Sequence, residues 1–397
     1  MSRRNVAAAL GTTLLTQAIG SATTLAPAVL APLIAASMGL SITSIGLYVS
    51  LVYVAAMVST VLAGPFVVAL GGTRVSQVGL CVCAIGLSMV SSSHVVIGAL
   101  GALVIGLGYG PLTPASADVL IRAAPPHRMA VIYSLKQTGV PLGGVLAGLL
   151  LPAAALVVGW SWALAGVSGA CLLCALTLIP FRSGLDGTPH GGISRPSFHG
   201  SLEPIRLTLR NPSLRILAIS SFVFSATQLC LTVYLVTFLT QSLQWQIVAA
   251  GAMLAASQAV GAFTRVLWGW VADTRAGLKL TLIYLAVAMA VSALSMLVID
   301  ASTPRWIVAL LIALFAATAA GWNGVFLAAV ARTAPPGRTA SVTGGAMAFT
   351  YLGIVVGPTL FGSLADRTDS FPISFAALAI PLSLCVLLLT SLKSDRA

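Results

Sequence analysis

RMAVIYSLKQTGVPLGGVLAGLLLP, running from Arg128 to Pro152, is apolar and glycine-rich and holds one interior charge, Lys136. Lys136 lies eight residues past Arg128, which at 1.5 Å per helical residue is roughly 12 Å deep, close to the middle of a hydrocarbon layer about 30 Å thick. A second apolar stretch, Trp245 to Ala272, repeats the arrangement, with Arg265 eight residues before Asp273, the first residue of the next charged loop. A cation left at that depth costs about 2.5–3.5 kcal/mol on insertion scales. Two such charges at matching depths call for a purpose.

The composition places these stretches in a membrane. Over 397 residues, 58% are hydrophobic and 7% charged, whereas soluble domains carry about a quarter charged residues. Lipid offers no partner to backbone groups, so apolar runs of this length fold as helices, and they are too long for barrel strands. The first apolar segment follows Met-Ser-Arg-Arg without a small-residue cleavage site, so a retained helix is expected and no signal peptide. The net charge of +12 would suggest nucleic acid in a soluble protein, but here position decides. Of the 20 lysines and arginines, 16 fall at alternate helix ends, Arg305 and Arg367 fall on the other side, and Lys136 and Arg265 lie inside spans. That asymmetry predicts both termini in the cytoplasm, with the chain in the cell inner (plasma) membrane and no nucleic-acid partner. All six cysteines lie in apolar segments, so Cys171-x-x-Cys174 reads as helix packing, with no metal, cofactor or disulfide expected.

Twelve spans are predicted, at 6–36, 43–71, 74–93, 95–123, 129–157, 160–181, 213–240, 246–272, 278–299, 306–331, 340–365 and 371–392. The polar segment 182–212 divides them six and six, giving bundles at 1–181 and 213–397 joined by a cytoplasmic linker. Within the linker, Leu202 to Arg210 reads either as a short basic helix on the anionic inner leaflet or as solvated chain. The halves repeat each other. Arg122-Ala-Ala-Pro-Pro-His-Arg128 after span 4 matches Arg332-Thr-Ala-Pro-Pro-Gly-Arg338 after span 10. Gly139-x-x-x-Gly143-x-x-x-x-Gly148 in span 5 likewise matches Gly353-x-x-x-Gly357-x-x-x-x-Gly362 in span 11. Small residues at this spacing let helix backbones approach closely, in sliding or in static contact.

Two six-helix halves, a long middle loop and these motifs resemble the major facilitator superfamily of secondary transporters. The resemblance implies an all-α integral membrane protein of twelve transmembrane helices in two pseudo-symmetric six-helix bundles. Its most specific mark is a loop motif of glycine, apolar residues, aspartate and basic residues. It appears as Gly269-Trp-Val-Ala-Asp273-Thr-Arg275-Ala-Gly277-Leu-Lys279, and again as Gly64 to Arg74 with Val68 at the aspartate position. In such a latch an aspartate meets a helix N-terminus and a nearby arginine and holds one side closed. Asp273, Arg275, Arg74 and Asp118 are the gate candidates, with Asp118 placed to pair with Arg74 or Arg122.

The resemblance further implies that spans 1, 4, 7 and 10 line a cavity and that spans 5 and 8 are neighbours, which would bring Lys136 and Arg265 face to face. The eight carboxylates all lie at helix ends or in loops, so neither cation has an acidic partner at its own depth, and a small anionic substrate would relieve their repulsion. Arginine's planar fork and lysine's compact charge suit an organic carboxylate. The oxalate/formate exchanger is similar in part, with an arginine on its eighth helix and a lysine on its eleventh. Cavity-lining positions add Gln17, Tyr109, Gln228, Trp322 and Asn323 as substrate-binding candidates, Gln258 joins them seven residues before Arg265 on the same face of span 8, and glycines flanking Tyr109 and Trp322 predict irregular backbone there. The alternative for Arg265 is snorkelling toward Asp118 or the loops.

The expected function is therefore secondary transport of a small organic anion by alternating access, as proton symporter or anion exchanger, by a monomer. Lys136 is the midplane group able to carry a proton. The alternative, a drug or metabolite efflux antiporter, calls for a membrane-embedded carboxylate that the sequence lacks. No enzyme is expected, since the four histidines fall in loops and no nucleophile motif appears.

Overall fold

Apolar runs with no backbone partner in lipid leave the helix as the open solution, and the described residues contain helices and no strand. The structure is a computed structural model that describes residues 3–41, 44–123, 132, 135–186, 203–272, 276–335 and 339–392. In chain order the elements are α1 (Arg3–Val29), α2 (Ala31–Met38), α3 (Ser44–Leu70), α4 (Gly72–Val90), α5 (Val95–Tyr109) and α6 (Leu112–Ala123). They continue with α7 (Gly139–Val158), α8 (Trp160–Thr177), α9 (Arg182–Leu185), α10 (Glu203–Arg210), α11 (Pro212–Gln241) and α12 (Ile247–Val271). The last are α13 (Gly277–Ser295), α14 (Arg305–Ala319), α15 (Trp322–Thr333), α16 (Thr339–Thr368), α17 (Phe371–Ala377) and α18 (Ala379–Thr390).

These elements account for the twelve predicted spans. Among the described residues ten helical stretches are long and apolar enough to cross a membrane. α1 with α2 forms an eleventh if the pair, bent by 51°, is one span, and α3 is a 27-residue helix whose apolar part, Ser44–Thr60, is shorter. The bend has a local cause, because Pro32 in the first turn of α2 cannot donate to the preceding turn and its ring crowds that turn's carbonyl. Spans 4 and 10 are each broken at the position predicted from their glycines. α5 ends at Tyr109 before Gly110-Pro111, and α14 ends at Ala319 before Gly321-Trp322.

The chain forms two compact units, Met1–Ile42 with Leu51–Pro196 and Thr43–Ser50 with Ser197–Ala397. In the first, α1 packs along α7, and α4 along α5 and α8. In the second, α11 packs along α16, and α13 along α18. Spans 1 and 5 thus pair as spans 7 and 11 do, as the internal repeat requires. The glycines make the pairing possible. A Cβ on Gly143 would lie 2.7 Å from the Ala22 nitrogen of α1, and one on Gly357 would lie 2.6 Å from the Ala226 Cβ of α11. In the second unit Phe238, Phe315, Phe361 and Phe375 form an edge-to-face aromatic core. All six cysteines are thiols inside apolar helices, five of them buried and Cys81 partly so.

Candidate functional site

In the first unit the Gly139/Gly143 seam brings α1 close enough for two polar side chains to meet in an apolar interior. Gly139 has no room for a side chain, since its Cβ would lie 2.9 Å from the Gln17 Cβ. Lys136, three residues earlier in the chain, donates from Nζ to Gln17 Oε1 at 2.7 Å and to Gln137 Oε1 at 3.4 Å. Gln17 Nε2 in turn donates to the Tyr109 hydroxyl at 3.2 Å, and Ser21 Oγ lies 3.3 Å from the same hydroxyl. Tyr109 is fixed by the break that ends α5 and by an edge contact to Tyr53, 6.3 Å between ring centroids. Lys136 is 1% exposed, and both of its acceptors among the described residues are neutral amides. A cation held this way is oriented but not neutralised.

The second unit holds the other group. Gln228 Oε1 accepts from Trp322 Nε1 at 3.0 Å and from Asn323 Nδ2 at 3.4 Å, and Trp322 is buried edge-on against Phe224. Arg265 behaves differently from Lys136. It is half-buried, and its Nε donates to the Ala320 carbonyl at 3.0 Å. Trp268 Nε1, one helical turn on, donates to the Ala317 carbonyl at 3.0 Å. A helix end leaves carbonyls without intrahelical partners, so α12 caps the break in span 10 with two side chains. The two cations, expected at matching depths, therefore differ in setting, the arginine giving one donor to a broken helix. Gln258 is half-buried on α12, and no hydrogen bond among the described residues joins it to the Gln228 group.

Of the six polar candidates, Gln17 and Tyr109 gather around Lys136, and Gln228 gathers Trp322 and Asn323. Ser21 and Tyr53 were missed. The signal for Ser21 was its spacing of four from Gln17, one turn along the same helix face; Tyr53 offered none beyond its place in span 2.

Among the gate candidates, Asp273 and Arg275 lie outside the described residues. Asp118 pairs with Arg122, four residues on, at 3.0 Å, the local partner of the two expected. Arg74 engages through its backbone. Its N–H and that of Thr73 donate to the carboxylate of Asp186 at 3.2 Å and 2.7 Å. Asp186 follows α9 and caps the N-terminus of α4 from the far end of the unit's sequence, at the loop where Val68 stands in the aspartate position. Gly71 is required beside it, because its φ is +90° and a Cβ would lie 2.5 Å from the Asp186 carboxyl carbon. Asp186→Ala is expected to cost about 1–2 kcal/mol, the usual loss for a helix N-cap with a charge at the dipole's positive end. Thermal unfolding of the purified variant checks this, with Asp186→Asn expected to keep most of the effect, and an alanine variant as stable as the parent would show that the cap is idle.

Residues 12–358 match the family model described as Major Facilitator Superfamily. An uncharacterized MFS-type transporter of Mycobacterium tuberculosis (strain CDC 1551 / Oshkosh) is 26% identical over 272 residues, 68% of this chain and 59% of that protein. The alignment therefore spans less than two thirds of the relative. Among solved structures, a D-xylose-proton symporter superposes with a TM-score of 0.78 at 15% identity, covering 100% of this chain and 99% of the other. The nucleoside transporter NupG gives 0.78 at 17% identity over 97% and 99%. A bacterial homologue of the human lysosomal transporter Spinster gives 0.74 at 16% over 98% and 96%. At such identities these structures speak for the fold alone.

Proposed function

The chain belongs to the Major Facilitator Superfamily of secondary transporters, and on that premise we propose that it carries a small organic anion, foremost a carboxylate, by alternating access. The observation that carries this reading is Lys136, a cation 1% exposed whose acceptors among the described residues are neutral. An anion bound at the ammonium supplies the charge that the surrounding side chains do not. The Gln17–Tyr109 chain that orients the ammonium gives it a fixed geometry in which to receive a carboxylate. The proposed ligand residues are Lys136, Gln17 and Tyr109 in the first unit, and Arg265, Gln228, Trp322 and Asn323 in the second. Asp273, Arg275, Arg74 and Asp118 are proposed for gating. Coupling is by anion exchange or by proton symport through the Lys136 amine, in the inner membrane with both termini cytoplasmic.

A thermal-shift screen of the purified protein tests the substrate class, because a ligand selective for the folded state raises its apparent stability. Mono- and dicarboxylates are set beside a neutral sugar and a nucleoside. Stabilisation by a carboxylate and not by the neutral compounds is expected, and the reverse pattern would overturn the reading. With the hit in hand, Arg265→Lys keeps the charge and loses the fork, so affinity is expected to fall roughly ten- to a hundredfold. Unchanged affinity would confine Arg265 to capping the break in span 10.

A further inference from the structure

Helix α10 is held on one side and open on the other. On its inner side Thr208 is fully buried, and its hydroxyl donates to the Pro204 carbonyl at 2.9 Å and to the Val342 carbonyl of α16 at 3.4 Å. Gly345 of α16 lies so close that a Cβ there would meet the Thr208 hydroxyl at 2.5 Å. The helix is therefore clamped to the first turns of span 11. On its open side stand Arg206, Leu209 and Arg210, with Leu209 41% exposed between the arginines. Arg206 and Arg210 are one turn apart and neighbours on the surface, about 6 Å between their Cβ atoms. A single residue, Asn211, links α10 to the 30-residue span α11, accepting from the Ser213 and Leu214 N–H groups as its cap. Arg215, in the first turn of that span, is exposed as well. No ion pair among the described residues engages any of the three arginines.

We propose that Arg206, Arg210 and Arg215 form a binding surface for the headgroup of an anionic phospholipid. Three arguments converge on a lipid. The arginines sit where a transmembrane span begins, which is headgroup depth. Guanidinium forks match phosphate oxygens in charge and geometry. Leu209 places an apolar side chain between two charges, an arrangement that water does not favour and that the boundary of headgroup and acyl chain does. On the orientation proposed above the surface faces the cytoplasmic leaflet, whose anionic lipids attract basic segments beside a span. Because the opposite side of α10 is clamped to α16, lipid bound here also steadies the start of span 11. The reading is independent of the transported substrate.

The test uses the full-length protein, delipidated in mild detergent, with phosphatidylglycerol and phosphatidylcholine as probes and native mass spectrometry as readout. Wild type is expected to retain phosphatidylglycerol in preference to phosphatidylcholine. The combined variant Arg206→Gln, Arg210→Gln, Arg215→Gln is expected to retain about tenfold less or lower still. Equal retention by wild type and variant overturns the proposal, as does equal retention of the two lipids. Inorganic phosphate that binds alone and displaces the lipid at low millimolar concentration also overturns it, because the surface then serves a soluble anion. Should the glutamine variant fail to fold, the combined change to lysine decides the matter: its retention of phosphatidylglycerol is expected to weaken with salt, and retention indifferent to salt counts against an electrostatic site.

Discussion

Lys136→Met is expected to weaken binding of the transported anion roughly a hundredfold while leaving the empty protein at least as stable as wild type. The two halves of this outcome rest on the same geometry. The ammonium is 1% exposed and held by amide oxygens, so without an anion a charge costing about 2.5–3.5 kcal/mol at that depth is only partly compensated. Methionine fills nearly the same volume without the charge and leaves one amide oxygen of Gln17 short of a donor, a loss of about 1–3 kcal/mol. The two terms are close in size, so stability is held or rises. In the complex the lost contact is a charge-assisted hydrogen bond to a buried anion, worth about 3 kcal/mol, hence the factor of a hundred. Thermal unfolding without ligand and affinity for the identified anion are measured on the same preparation. A variant that binds normally, or one that unfolds well below wild type in the absence of ligand, sinks the assignment of Lys136 to the substrate.

The second large effect concerns the seam that places that lysine. Gly143→Leu is expected to prevent accumulation of folded protein, and Gly143→Ala to destabilise it by about 1–3 kcal/mol, the usual range for overpacking. The added Cβ would lie 2.7 Å from both the Ala22 nitrogen and the Ser21 Cβ, and backbone atoms of a neighbouring helix cannot rotate away. α1 must then retreat from α7, carrying Gln17 away from Lys136. Gly169→Ala, on α8 with nothing within 4 Å of its Cβ position, is the matched control and is expected to be neutral or slightly stabilising through helix propensity. Monodispersity and unfolding temperature of the three variants decide the matter. Equal tolerance at positions 143 and 169 would show that the seam is loose.

The pattern of apolar length and charge was enough to read twelve spans, the family and the breaks in spans 4 and 10. Each of those features is written locally, as run length, motif spacing or glycine beside an aromatic. The site was legible in its membership more than in its pairings. Nothing in the order of residues says that Lys136 meets Gln17, because that contact depends on the register of α1 against α7, which the glycine seam sets in three dimensions. The contact that Arg265 makes was hidden for a related reason. The arginine's Nε donates to the carbonyl of Ala320, and a backbone acceptor freed by a helix break leaves no trace in a list of side chains. Asp186 escaped notice as one acid among those at helix ends, since its role depends on the end of span 6 folding back to the start of span 3. Asp118 shows the converse, because the local spacing to Arg122 was visible and proved sufficient.

The thiols carry a practical consequence. Five of the six cysteines are buried within apolar helices and the sixth, Cys81, is partly covered. Charged maleimides react with thiolates that water can reach, so the wild-type chain is already close to a silent background for such reagents once Cys81 is replaced. A reporter cysteine introduced at an exposed loop position such as Ser92 or Ala301 would then be the dominant labelled site. Spectroscopic distance measurements between two such reporters need no stripping of the core thiols, whose removal would open cavities in the packing around α4 and α8.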